Sequence, residues 1–428
     1  MKADLNITFY KETNFKETPI GKIPEDWEVV RLKDVVERVT NIISKEEIMR
    51  NPKEKYVLYS IPAYHDKGEP ELIEARKIGS TKFSVRAGDI LFGKINPRVP
   101  KIWMVRDERA LASTEFIVLR SDKRKAMNEF IYYLLQMKRI LQLSVALAKG
   151  AVPSRLRTDI RGFMRIQIPL PPLSEQKAIA HVLSTVDEAI QKTNEIIEKI
   201  KRLKKGLMQE LLTKGIGHKE FKDTEIGRIP REWKVVRIRE IGTLQYGVTV
   251  SAKKENTGIK LLRITDIKGE EGINWSEVPY CEVSKAELMK YGLKVGDVLF
   301  ARIGATTGKT CYIDRLVKGV FGSYLIRFQP TVRDIDTRFL YFYTQSTIYW
   351  QQVNRIKEGQ LKKGLNSRTL GNLRVPLPPI EEQRKIAEIF STVDKRLGVE
   401  RKRKKKLERI KKALMDLLLT GKVRVKVK

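Results

Sequence analysis

The chain holds only 2 cysteines and 3 histidines in 428 residues. Cys281 and Cys311 exclude a disulfide scaffold and fit a reducing compartment. His65, His181 and His218 lie far apart, and with the two cysteines they give no zinc-like spacing. No stretch approaches the ~18 uninterrupted apolar residues of a bilayer span, and the first residues carry no apolar signal-peptide core. A cytoplasmic protein without a membrane partner is therefore expected. An enzyme that methylates amino groups would show an Asp/Asn-Pro-Pro-Tyr/Phe loop, but the Pro-Pro pairs here follow leucine. No glycine-rich cofactor loop, nuclease-like Glu-x-Lys cluster or Ser-His-Asp set stands out, so neither catalytic, cofactor nor metal residues are assigned to this chain.

Positive charge is abundant. Lys and Arg number 85 against 52 Asp and Glu, a net charge of +33, which points to a polyanionic partner. The apolar fraction of 41% is enough to build cores, so this is not a disordered basic tail. Frequent Lys and Glu with sparse Asn and Gln fit a thermophilic source.

The chain repeats itself. Thr18–Leu32 returns from Thr224, 206 positions later, as TEIGRIPREWKVVRI, and Arg86–Ile95 returns from Lys294, 208 later. Ile168–Ala180 returns from Val375 as VPLPPIEEQRKIA, and Leu203–Thr213 returns from Ile410, both 207 later. Two copies of one unit follow each other, and in each a variable globular part precedes a long helix.

The globular parts, residues 16–172 and 222–379, read as mixed α/β. Short β-branched runs at Tyr56–Ile61, Asp89–Ile95, Ile102–Val105 and Glu115–Leu119 predict strands. Asn128–Leu147 has helical apolar spacing, and its counterpart starts near Phe339. Trp27 and Trp233, in IGxIPxxW motifs, are expected to anchor each part. Each PLPP element fixes the start of a helix, over Ser174–Thr213 and Glu381–Thr420, about 60 Å long at ~1.5 Å per residue. Glu175-Gln176 and Glu382-Gln383 are first-turn residues suited to the helix dipole.

In the first helix Ile179, Leu183, Val186, Ile190, Thr193, Ile197 and Ile200 alternate by four and three, a coiled-coil seam that shifts by a skipped residue to Leu203, Leu207 and Leu211. The second shows Ile386, Phe390, Val393 and Leu397, a charged stretch at Glu400–Lys406, then Leu407, Ile410, Leu414 and Leu417. To bury its stripe on the first helix, the second must run back. The expected fold class is α+β: two globular domains separated by two long antiparallel helices, with an internal pseudo-two-fold suited to two half-sites on duplex DNA. The segments are 1–15 as an N-terminal extension, 16–172, 173–214, 215–379, 380–421 and a basic tail at 422–428.

Gly304-Ala-Thr-Thr-Gly308-Lys309-Thr310 resembles a phosphate-binding loop but has three residues between the glycines instead of four, and a strand-like Cys-Tyr-Ile follows, so a hairpin loop is the better reading. Lys94 aligns with Arg302 and Lys101 with Lys309, while Asn96 and Arg98 face Ala305 and Thr306. Fixed charge suits phosphate contacts, and variable residues suit base reading. Further basic groups are Arg155, Arg157 and Arg161 in the first copy and Lys362, Lys363 and Arg368 in the second. Leu244–Val250 is read as another loop, with Lys253, Lys254 and Lys260 beside it and Tyr246 and Arg263 as readers. A solvated basic surface is the competing reading for each group.

These motifs resemble the specificity subunit of type I restriction–modification systems over nearly the whole chain, most specifically in RIQIPLPPLSEQKAIAHVLSTVD at 165–187 and NLRVPLPPIEEQRKIAEIFSTVD at 372–394. The resemblance implies two target recognition domains that read the halves of a bipartite, asymmetric site on double-stranded DNA. It implies helices that set the spacer and dock two methyltransferase subunits, with restriction subunits joining the assembly. It also implies that adenine methylation with S-adenosylmethionine, and cleavage with ATP and Mg, belong to those partners, leaving this chain non-catalytic. The alternatives are a self-contained DNA-modifying or DNA-cleaving enzyme, and a generic nucleic-acid-binding coiled-coil scaffold.

Overall fold

A computed structural model describes residues 7–66, 68–269, 272–358 and 364–427. The chain forms two compact units: residues 1–194 with 403–428, and residues 195–402. The division runs through both long helices, Leu173–Leu211 and Ile380–Leu418, so each unit holds half of each helix instead of leaving them as separate spacers. Both helices lie within two residues of the expected bounds.

In the first unit a four-stranded sheet orders Ile102–Met104, Ile90–Gly93, Phe116–Ser121 and Val36–Val39, all antiparallel. A five-stranded sheet orders Ile42–Ile43, Lys82–Val85, Ala110–Ser113, Lys55–Tyr59 and Glu71–Glu74, with one parallel pair, Ala110–Ser113 on Lys55–Tyr59. The second unit repeats the four-stranded sheet with Gly242–Tyr246, Leu325–Pro330, Val298–Ala301 and Thr310–Tyr312. Gly242–Tyr246 is thus a strand where the sequence reads as a loop. Among the described residues the variable part here holds one parallel strand pair, Lys260–Leu262 with Gly319–Phe321, and the helix Lys285–Tyr291.

The expected helix Asn128–Leu147 is two helices, Asn128–Leu135 and Lys138–Ala146, with Met137 extended between them. Its counterpart breaks in the same way, into Thr337–Tyr343 and Thr347–Glu358. Neither break has a proline or glycine to announce it. In the first unit packing sets it: Phe130, Ile131, Leu134 and Ile140 enter one core from the two segments.

Trp27 and Trp233 are fully buried at the centres of the two main cores, and burial of such a side chain stabilises by roughly 3 kcal/mol. Each indole Nε1–H also has its partner. Trp27 donates to Glu175 and Trp233 to Glu382, each at 3.0 Å. Gln176 and Gln383, both buried, hold the start of the Asn128–Leu135 and Thr337–Tyr343 helices by accepting from the backbone N–H of Met127 and Asp336. The Glu-Gln pairs therefore join each long helix to its globular part, beyond any effect of the helix dipole.

Within each unit the helix halves run antiparallel. In the first, Glu175 meets Arg424 just past the second helix, and Asp187 meets Lys411 at 2.7 Å. In the second, Glu382 meets His218 just past the first helix, and Asp394 meets Lys204 at 2.7 Å. The seam differs from the apolar count. Leu203 is 56% exposed, whereas Lys204 is 5% exposed. The four–three alternation therefore runs unbroken through Ile197, Ile200, Lys204, Leu207 and Leu211, with no skipped residue. In the second helix it runs through Leu397, Glu400, Lys404, Leu407, Lys411, Leu414 and Leu418. There Glu400 is buried, while Ile410 and Leu417 sit outside the seam and are exposed. The Lys–Asp pairs are related by one shift of 207 residues, so each unit carries the same polar lock on helix register.

Within the N-terminal extension and the basic tail, the described residues form one further strand pair. Ile7–Lys11 pairs antiparallel with Val423–Val427. No helix among the described residues is long and apolar enough to cross a membrane.

Candidate nucleic-acid interface

In the first unit the hairpin loop between Ile90–Gly93 and Ile102–Met104 carries Lys94, Asn96 and Arg98. A second segment, Ala148–Lys149 paired with Arg157–Thr158, forms a short arm against it. The Asn96 N–H donates to the Leu156 carbonyl at 2.7 Å, and the Thr158 N–H donates to the Lys94 carbonyl at 2.9 Å. The two basic groups separated by some 60 residues of sequence thus share one surface. Asn96 is the one non-glycine with positive φ among the described residues, at 47°, a left-handed conformation that asparagine tolerates.

Lys101 does not join that surface. It is 2% exposed, and its ammonium donates to the carbonyls of Ile95, Asn96 and Val99. Burial pushes its pKa down, yet three carbonyls solvate the charge. Lys101 holds the loop's shape, which corrects its expected place as a phosphate contact. Lys309, its counterpart, is half-buried.

Arg157 is exposed and held by Glu115 through two bonds of 2.9 and 3.0 Å. Arg155 is exposed beside it, and Arg161 is exposed on the following helix, Ile160–Met164. Arg98 is exposed, and with Pro100, Met137, Leu141, Lys411 and Met415 it lines a cavity of about 610 Å³.

The second unit builds the same surface from different side chains. The Arg302 N–H donates to the Tyr324 carbonyl, and the Leu365 N–H donates to the Arg302 carbonyl at 2.8 Å. These match the Lys94–Glu115 and Thr158–Lys94 bonds of the first unit. The Arg302 guanidinium lies 4.9 Å over the Tyr246 ring, a cation–π contact worth roughly 0.5–1 kcal/mol at an exposed site. The Tyr246 hydroxyl accepts from the Ser367 N–H, which ties the strand to the helix bearing exposed Arg368. Lys362 and Lys363 lie outside the described residues.

The glycine-rich loop is the connection between Val298–Ala301 and Thr310–Tyr312, with one 3-10 turn at Gly304–Thr306 and a strand after it. This is the hairpin reading and not a phosphate-binding loop, which must open a helix. Thr306 is half-buried and its hydroxyl donates to the Ile303 carbonyl. Arg263 is clamped by Asp266 at 2.9 and 3.1 Å, with the Leu262 carbonyl before it bonded to Gly322. Lys253 pairs with Glu282, and Lys260 lies 3.7 Å over Tyr280 while donating to the Val278 carbonyl.

Sequence reasoning missed Glu115 and Tyr324. Both open the strand beside the basic loop, and Tyr324 is 55% exposed. An alignment of the two copies by their strands, not their charges, would have paired them.

A family model described as the type I restriction modification DNA specificity domain matches residues 24–202 and 230–409. The chain is 33% identical to the type I restriction enzyme MjaVIII specificity subunit of Methanocaldococcus jannaschii, over 98% of each chain. It is 21% identical to the EcoKI specificity subunit of Escherichia coli strain K12, over 87% of this chain and 84% of that one. A crystal structure of the type I restriction-modification S subunit from M. genitalium aligns with a TM-score of 0.62 at 16% identity, over 92% of this chain and 96% of that one, which shows the shared fold.

Proposed function

The chain belongs to the family of type I restriction–modification DNA specificity subunits, and from that premise we propose that each unit reads one half of a bipartite, asymmetric site on double-stranded DNA. The observation that carries this reading is the paired basic surface. The same loop and adjoining segment are stitched by the same backbone bonds in both units, yet they present Lys94, Asn96, Arg155 and Arg157 in one and Arg302, Tyr246 and Arg368 in the other. Like backbones with unlike side chains suit two half-sites of different sequence.

The chemistry belongs to partners. Two methyltransferase subunits dock along the long helices and methylate adenine with S-adenosylmethionine. Restriction subunits that use ATP and Mg complete the nuclease. The two continuous helices, locked in register by Lys204–Asp394 and Lys411–Asp187, fix the unread spacer between half-sites. The assembly works in the cytoplasm, where its DNA is.

The test is to express the chain with its methyltransferase subunits in a host lacking other adenine methylation, and to map the methylated adenines. Two different short blocks at one fixed separation are expected. Methylation at a single contiguous motif, or at none, overturns the reading.

A further inference from the structure

Glu115 and Tyr324 occupy one position in the two repeats. Each carbonyl accepts the N–H of the aligned loop cation, Lys94 at 2.9 Å and Arg302 at 3.0 Å. The facing position, set by the Thr158–Lys94 and Leu365–Arg302 bonds, holds Arg157 in the first unit and Gly364 in the second. The scaffold is shared, and the pair of side chains it presents is Glu–Arg in one unit and Tyr–Gly in the other.

The Glu115 carboxylate takes the Nε and Nη2 edge of Arg157, bonded at 3.0 and 2.9 Å. That bidentate pairing fixes the guanidinium plane and leaves its Nη1 edge directed away from the carboxylate. A planar, oriented donor pair matches the O6 and N7 acceptors of guanine in the major groove. The second unit has no cation at the facing position. It has instead an aromatic ring that is 55% exposed, beside Arg302 stacked on Tyr246. An exposed ring in that place suits the C5 methyl of thymine.

Resting on the reading that both surfaces bind DNA, we propose that Arg157, positioned by Glu115, reads a guanine in one half-site, and that Tyr324 reads a thymine at the equivalent place in the other. Arg157 and Tyr324 touch the bases, and Glu115 acts through Arg157. The difference between the half-sites then arises in part from one exchanged pair on a common frame.

The experiment uses the full chain assembled with its methyltransferase subunits and selects duplexes from a pool randomised in both half-sites. Arg157→Ala is expected to lower the guanine preference at one position of one block by about tenfold or more. Glu115→Ala is expected to weaken preference for that same guanine, and neither variant should alter the second block. Tyr324→Ala relaxes a thymine in the second block alone. The double variant Tyr324→Glu with Gly364→Arg is expected to introduce a guanine preference there, so the proposal stays testable should Arg157→Ala fail to fold. The exchange Glu115→Arg with Arg157→Glu keeps the ion pair and should still lose the guanine. A wild-type complex that selects two blocks while Arg157→Ala selects the same sequence overturns this inference alone. A wild-type complex that selects no sequence overturns the DNA-reading surface itself.

Discussion

The two units solve one structural problem with different residues. In both, a buried tryptophan donates to the glutamate at the start of a long helix, and a chain segment arriving from the other long helix closes over that glutamate. In the first unit the closing residue is Arg424, only 6% exposed, which bonds Glu175, Asp26 and Glu12. In the second it is His218, which meets Glu382 at 2.9 Å and has Glu232 at 4.0 Å. A glycine with positive φ precedes each by three residues: Gly421 at 69° and Gly215 at 66°. A Cβ at Gly421 would strike Pro24, and one at Gly215 would strike Trp233 and Glu382. The shared parts define the frame. The closing residue shows how differently charge can be managed on it: a permanent cation with three carboxylates in one unit, an imidazole with one close carboxylate in the other.

The strongest way to break the comparison is Arg424→Ala. It strands Glu175, itself 6% exposed, without its cation, and breaking a buried pair from one side typically costs about 3–5 kcal/mol. Urea unfolding should show that loss, with hydrogen exchange rising in the first unit first. A loss under 1 kcal/mol would mean the carboxylates find other partners.

Next is Lys204→Ala, which leaves Asp394 without its seam partner while that carboxylate stays 35% exposed. The expected loss is about 1–3 kcal/mol. Leu203→Ala should stay within ~0.5 kcal/mol, because Leu203 lies outside the seam. A larger effect at Leu203 would restore the skipped-residue seam read from apolar residues alone.

His218→Ala sharpens the contrast between units. Glu382 keeps the Trp233 indole and the Ile216 N–H, so about 1 kcal/mol is expected, well below the cost at Arg424. Equal losses would show that the two closures are energetically equivalent.

The smallest effect is in acid. Hydrogen bonding from Arg424 holds Asp26 below its ordinary 3.8, and the backbone N–H groups of Asn14 and Thr13, with Arg424, hold Glu12 below its ordinary 4.5. Their contribution is complete above those values and is lost as pH falls through the depressed ones. Burial instead raises Asp297 in the second unit, so its protonated form favours folding and that contribution is lost as pH rises through the raised value. Lowering the pH from 7 to below 4 should therefore loosen the closure around Arg424, read as faster hydrogen exchange at Ile7–Lys11 and Val423–Val427. In Arg424→Ala the acid sensitivity of the first unit should shrink.

The repeat, both long helices, the tryptophan anchors and the hairpin nature of the glycine-rich loop were legible because each rests on local pattern. Lys204 and Lys411 escaped because a seam is counted in apolar residues, and a lysine whose ammonium meets an aspartate can occupy an apolar register. Lys101 looked like a surface charge because nothing local shows that three carbonyls of its own loop surround it. The arm at Ala148–Lys149 and Arg157–Thr158 depends on pairing with a loop some 60 residues earlier, and so does the meeting of Arg157 with Glu115. Arg424 read only as part of a basic tail, since it is the pairing of Val423–Val427 with Ile7–Lys11 that carries it inward.

The most direct test of two readers built on one frame is to exchange residues 16–172 for the matching part of another member of the family and to map adenine methylation by the assembled complex. One block of the motif should change while the other block stays as in the parent. A change in both blocks, or in neither, would contradict the assignment of one half-site to each unit.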